Sequence, residues 1–192
     1  MLGFKHILDI TYLMTLQSLN VRHLGHHDLK GHGNGGQITV SRRGEKYYAF
    51  IGHMKDLGTS IVDVTDIKDP KLVSQIPISL NTHSHKVRVC GDLMLVNSEQ
   101  LGKNSPFEPG LKIFDISDIY NPQNLSFFKT GGKGVHKFWV DCDKSLAYIS
   151  TEVDGYIGAI FMILNFKDPY NVFEVSRWWF PGQWYEGGEK PT

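Results

Sequence analysis

Ser60-Ile-Val-Asp-Val-Thr-Asp-Ile-Lys-Asp-Pro70 returns as Lys112-Ile-Phe-Asp-Ile-Ser-Asp-Ile-Tyr-Asn-Pro122, and this recurrence decides the fold. Asp115 stands 52 residues after Asp63, and a third copy, Met162-Ile-Leu-Asn-Phe-Lys-Asp-Pro169, puts Asn165 a further 50 residues along. Each copy is an apolar, largely β-branched run that ends in an Asx-x-x-Asp turn. A short apolar strand then resumes at Leu72 to Ile76, Leu125 to Phe128 and Val172 to Val175. The turn residues Asp63, Asp66, Asp115 and Asp118 follow the repeat, as turn formers should, whereas a catalytic pair should break its symmetry.

A second register tells the same story. His85-Lys-Val-Arg-Val followed by Leu93 to Glu99 matches His136-Lys-Phe-Trp-Val followed by Leu146 to Glu152, with an earlier, degenerate copy in Gln37 to Val40 and Tyr47 to His53. Each unit therefore reads strand, turn, strand, loop, strand, Asx turn, strand. With no helical period between the strands, a βαβ sheet is excluded in favour of an all-β fold of β-propeller blades, each a four-stranded antiparallel unit. The 192 residues supply about three blades plus a partial one. Three blades do not close a ring, so the expectation is an incomplete propeller over residues 20–192, read as a C-terminally truncated product. Residues 1–19 form an N-terminal extension, helical or disordered. Trp178, Trp179, Phe180 and Trp184 are expected to expose an apolar surface on the last blade.

The Ile-Val-Asp-Val-Thr-Asp and Ile-Phe-Asp-Ile-Ser-Asp segments resemble LVIVD repeats, a propeller repeat similar to that of the selenium-binding-protein propellers. The resemblance runs from about Asn20 to the C-terminus and takes in Leu24 to Leu29, the Gly-rich Gly31 to Gly36 and the aromatic Arg177 to Trp184. It implies the propeller fold and further blades after the Trp-Trp-x-Pro-Gly region. It also implies, by analogy with channel histidines of the selenium-binding relatives, a metal site.

Residues at one register of successive first strands converge on a propeller axis. His85 and His136 share such a register, with Gln37 in the earlier copy; Glu99 and Glu152 share the end of the next strand, with His53 in the earlier copy. Imidazole and carboxylate form a ligand set for zinc, manganese or iron, so His85, His136, Glu99, Glu152 and His53 are the candidate ligands at the channel mouth. Blade-to-blade hydrogen bonding is the competing role for the same residues. If the metal serves catalysis, Glu99 or Glu152 acts as ligand or general base on water or a small polar substrate. His26, His27 and His32 sit in a Gly-rich stretch that either clamps a ligand or links blades. His83, one position out of register, reads as an exposed loop residue.

Lys+Arg and Asp+Glu each total 20, a net charge of zero that disfavours nucleic acid and anionic membranes as partners. The expected partners are a small ligand or a protein at the rim, and a second copy through the open blade edge. The apolar stretch in residues 1–16 is interrupted by Lys5, His6 and Asp9 and is too short to span a bilayer, which makes the cytoplasm the default compartment. Cys90 and Cys142 show no CxxC spacing and read as buried free thiols. No nucleophile elbow, phosphate loop or dinucleotide fingerprint is present.

Overall fold

The computed structural model describes residues 19–54, 58–79, 81–102 and 107–190. Of the expected extension over residues 1–19, residues 1–18 lie outside them. The fold is all-β, with antiparallel sheets that curl into a half-barrel, and it is built as propeller blades that do not complete a ring. The first blade is the sheet β1 (Gly35–Arg43), β2 (Lys46–His53), β3 (Thr59–Asp63) and β4 (Lys71–Ile76), paired in chain order. The second begins with a two-residue strand β5 (Thr82–His83), followed by β6 (Val87–Cys90), β7 (Leu93–Gln100), β8 (Gly110–Asp115) and β9 (Gln123–Lys129). The third is β10 (Gly134–Asp141), β11 (Leu146–Glu152), β12 (Ala159–Asn165) and β13 (Phe173–Trp178). Among the described residues, no helix is long and apolar enough to cross a membrane.

The repeat motif lands on β3, β8 and β12, and its polar end makes a double Asx turn three times over. Asp63, Asp115 and Asn165 accept from the backbone N–H two residues on, at 3.0, 2.7 and 2.9 Å. Asp66, Asp118 and Asp168 do the same at 2.9, 3.0 and 3.0 Å. These bonds satisfy loop amides that the sheet leaves unpaired, which explains why the residue type recurs with the fold period. The hydrogen bonds to Thr65 and Ser117 hold the Asp63 and Asp115 carboxyls below the usual range.

Strand pairing gives the blade equivalences. Tyr48, Leu93 and Leu146 face Asp63, Asp115 and Asn165, while Ile38, Val87 and Phe138 face Ile51, Val96 and Ile149. The alternation of each strand then sends one set of side chains forward and the other back. Phe50 and Ile61 of the first blade pack with Val87, Met94, Val96 and Phe114 of the second. Leu95, Leu111 and Ile113 of the second pack with Phe138, Ile149, Met162 and Leu164 of the third. The core thus lies between blades rather than within one. Each fully buried Ile or Leu there contributes about 1.5–3 kcal/mol.

Polar ties repeat with the same period. On the outer strands, Ser74 Oγ donates to Ile119 O at 2.9 Å and Ser126 Oγ to Pro169 O at 2.6 Å. On the inner strands, Thr39 Oγ1 donates to Val87 O at 2.8 Å, and Arg43 bonds Gly91 O at 3.0 Å and pairs with Asp92. At the second boundary the corresponding corner is covalent: Cys90, at the end of β6, and Cys142, just past β10, form a disulfide with a Cα–Cα distance of 5.4 Å. The expectation of free thiols is therefore corrected. Two cysteines one repeat apart, each at the end of a first strand, become neighbours when blades stand side by side.

Backbone pairs also cross the boundaries. His53 bridges Ser84, and Gly134 pairs with Glu99, which is why the strands of the second and third blades form one continuous hydrogen-bonded sheet. Gly134 has φ of 86°, and a Cβ there would collide with Ser98 O, so only glycine lets β10 approach β7 this closely. Beyond β13 the chain turns back. Ile157 N donates to Gln183 O at 2.8 Å, and the Trp184 ring packs with Tyr156 and Trp179. Trp178, Phe180 and Trp184 are exposed, while Trp179 is half-buried.

Candidate metal centre

The first strands of the three blades stand together, and their starts carry the histidines. His85 precedes β6 and is only 4 % exposed. Its stretch of backbone is held against the first blade: Gln37 N donates to His85 O at 2.9 Å, and the preceding Ser84 N donates to His53 O at 3.2 Å. Two glycines of the first blade make room for it. A Cβ on Gly36 would lie 2.8 Å from His85 Cβ, and one on Gly52 would lie 2.6 Å from its carbonyl carbon.

Asn97, fully buried on β7, is the hub of this corner. Its Oδ1 accepts from Lys86 N at 2.8 Å, its Nδ2 donates to Val135 O at 2.8 Å, and the same Nδ2 lies 3.4 Å from His85 Nδ1. Its backbone oxygen accepts from Ser84 Oγ at 2.7 Å. One side chain thus joins the second blade's entry loop to the third blade's first strand. Sequence reasoning passed over it. The available signal was an amide directly after the apolar run Leu93-Met-Leu-Val, on a strand where an unpartnered polar group would be costly.

Around His85 three further groups converge. β5 pairs with β7 so that His83 sits opposite Glu99. His83 is thus a half-buried strand residue, not the exposed loop residue that alternation suggested. Its ring meets that of His85 edge-on, with centroids 5.3 Å apart. His83, His85 and Glu99 each offer a ligand atom, and these atoms all lie within 4.8 Å of one another. His136 comes from the next blade: its Nδ1 is 2.8 Å from Glu99 Oε1 and 3.0 Å from Oε2, and its ring lies 5.5 Å from that of His85. An ionised carboxylate only accepts, so His136 Nδ1–H is the donor. His85 Nδ1 is 3.9 Å from Glu99 Oε2.

Burial, with the nearby charges of Lys86, His83, His136 and Lys137 adding to it, pushes the His85 imidazole down to about 4. At neutral pH it is uncharged and keeps a lone pair, the form that binds a cation. Two imidazoles and one carboxylate, with a histidine hydrogen-bonded behind the carboxylate, match the ligand set and outer shell of a divalent metal site with open positions.

The other candidates lie elsewhere. In the backbone register His53 is equivalent to Ser98 and Thr151, one position from Glu99 and Glu152, so its side chain takes the opposite face. It is fully buried there, with Nδ1 3.1 Å from Gly33 O and Nε2 2.8 Å from Ser60 Oγ. Since the carbonyl only accepts, Nδ1 carries the proton and Nε2 accepts from Ser60, whose Oγ also receives Gln75 Nε2–H at 3.2 Å. Burial lowers the His53 pKa, against the bond to Gly33, which raises it. Glu152 ion-pairs with Lys133 Nζ at 3.0 Å. Gln37 aligns with Lys86 and Lys137, and its Oε1 is buried with no hydrogen-bond partner. His27 Nδ1 accepts from Leu29 N at 2.8 Å in a local turn, while His26 and His32 are exposed. No protein-family model matches the chain, and no curated protein matches it.

Proposed function

We propose that this chain is an LVIVD-type propeller protein that binds a divalent metal at the mouth of its inner strands, through His83, His85 and Glu99. The observation that supports this reading is the convergence of those three ligand atoms to within 4.8 Å, with His85 buried and His83 and Glu99 half-buried. Two histidines and one carboxylate suit zinc, manganese or iron and leave coordination positions for water or a small polar substrate. His136 orients the carboxylate from the neighbouring blade. If the bound metal acts on a substrate, it supplies Lewis acidity or an activated water, and the chain's part is to fix the ligand geometry and exclude bulk solvent from the His85 side. The Cys90–Cys142 bond favours an oxidising compartment over the cytoplasm.

A second reading, in which the histidines only tie blades together, is favoured at one place: His53 spends both ring nitrogens on Gly33 and Ser60. Elemental analysis of untagged protein separates the two. Near-stoichiometric metal that is lost in His83→Ala/His85→Ala supports the metal reading. Its absence after zinc, manganese and ferrous iron have each been supplied supports the structural one.

A further inference from the structure

Beside the histidine corner the first strands carry cations that the protein leaves without a counter-charge. Lys86 and Lys137 follow His85 and His136 directly and share one register level, Lys86 half-buried and Lys137 exposed, and both charges bear on His85. Two residues further along, Thr39, Arg88 and Trp139 stand at the next level, facing Phe50, Leu95 and Tyr148. Neither lysine nor Arg88 forms an ion pair among the described residues.

Arg88 is the unusual member. It is half-buried, and its neighbours come from both flanking blades. Its Nη1 lies 3.4 Å from Thr39 Oγ1 of the first blade and 3.3 Å from Val87 O, and its guanidinium lies 4.5 Å from the centre of the Trp139 ring of the third. The Cys90–Cys142 bond ties the ends of the same two strands, so the stacked pair is held in place. A part-buried guanidinium ordinarily meets a carboxylate across its fork. Here Nη1 is occupied by long hydrogen bonds, Nε is shielded from water with no partner, and Nη2 has none among the described residues. The Nε–Nη2 edge, the one suited to side-on pairing with two oxygens, is therefore unused. Burial lowers the Arg88 pKa, and no acidic group among the described residues works against it. An oxyanion at that edge would supply both the missing hydrogen bonds and the missing charge.

The surroundings narrow the class. Trp139 is 62 % exposed, so an apolar indole surface borders the fork on its solvent side. A carboxylate on a short carbon body fits both the fork and the indole, whereas a bare phosphate uses the fork alone. We propose that Arg88, stacked on Trp139 and flanked by Lys86 and Lys137, binds the carboxylate of a small organic anion on the lining of the first strands. The site adjoins the histidine corner but shares no residue with His83, His85 and Glu99, so it operates in the metal-free protein as well.

The test is a titration of metal-free protein with succinate at constant ionic strength, followed by the backbone amide and arginine Nε–Hε signals in nitrogen-15 NMR. Saturable shifts are expected around Arg88 and Trp139. Arg88→Lys keeps the charge but not the fork, and should weaken binding about 10- to 100-fold, the worth of a charge-assisted hydrogen bond. Lys137→Gln and Trp139→Leu alter exposed side chains and so preserve the fold; each should weaken binding about 2- to 5-fold. Far-UV circular dichroism and a cooperative melt check that every variant is folded. Shifts that never saturate, or an affinity that Arg88→Lys, Lys137→Gln and Trp139→Leu all leave unchanged, would overturn the proposal, and inorganic phosphate binding as tightly as succinate would overturn the choice of a carboxylate. Because the titration uses no metal, a protein that takes up zinc but not succinate defeats this proposal alone, and one that binds succinate but no metal defeats the metal reading alone.

Discussion

His136 donates its Nδ1 proton to Glu99 across the boundary between the second and third blades, at 2.8 and 3.0 Å from the two carboxylate oxygens. In the proposed site the bond orients the carboxylate, and His83, His85 and Glu99 supply the ligands. His136→Ala is therefore expected to weaken zinc or manganese binding roughly 10- to 100-fold, while His85→Ala abolishes it, as followed by calorimetric titration. Equal loss in both variants would make His136 a ligand instead.

Acid should destabilise the metal-free protein before its carboxylates titrate. The His85 pKa is about 4 in the fold against 6.5 for the ordinary side chain, and that of His53 is lowered in the same direction. A depressed histidine is protonated first in the unfolded chain, so stability is intact above about pH 6.5 and falls from there toward pH 4. For His85 the loss is at most on the order of 3 kcal/mol. Urea midpoints at pH 7, 5.5 and 4.5 read this out, and His85→Gln should flatten the slope. An unchanged slope would place the sensitivity elsewhere.

Asn97→Ala should be among the most damaging single changes outside the apolar core. It removes the partners of Lys86 N and Val135 O from a site with no exposure. Leaving buried backbone groups unpaired costs about 1–3 kcal/mol each. A loss of about 2–4 kcal/mol in denaturant unfolding is expected, with metal affinity falling too, because the His85 loop is released.

Reduction should loosen the second boundary. The Cys90–Cys142 bond closes a loop of 52 residues, for which the chain-entropy relation gives about 4 kcal/mol. Cys90→Ser/Cys142→Ser, or dithiothreitol on the native protein, is expected to lower the melting temperature by several degrees while leaving far-UV circular dichroism unchanged at 20 °C. Insensitivity to both would mean that the inter-blade core alone fixes the boundary.

The blades were legible because each of their determinants is local. The Asx turns at Asp63, Asp115 and Asn165 and the β-branched runs before them are written in consecutive residues, and the structure uses them as such. The equivalence of His85 and His136 was legible for the same reason. His53 was aligned with Glu99 because both close a second strand, but pairing sets it one residue short, and a single step in a strand moves the side chain to the other face. Bulges between Gly35 and Ile38 and between Val135 and Lys137 shift the register of the first strands, with no mark in composition. The contacts that assemble the site, His136 to Glu99 and Asn97 to Val135, cross a blade boundary. So does the disulfide. Such contacts depend on how one repeat sits on the next, which no single repeat encodes.

The two internal boundaries carry the same kind of apolar core, but only the second is closed by a bond that water and heat leave intact. The first is held by noncovalent contacts alone, among them those of Arg43, Thr39, Gln37 and Ser74. Under oxidising conditions the second and third blades are therefore welded, and the first boundary is where separation should begin. Reduction takes away the weld and leaves the second boundary to its apolar core and to the sheet that runs on from Glu99 to Gly134.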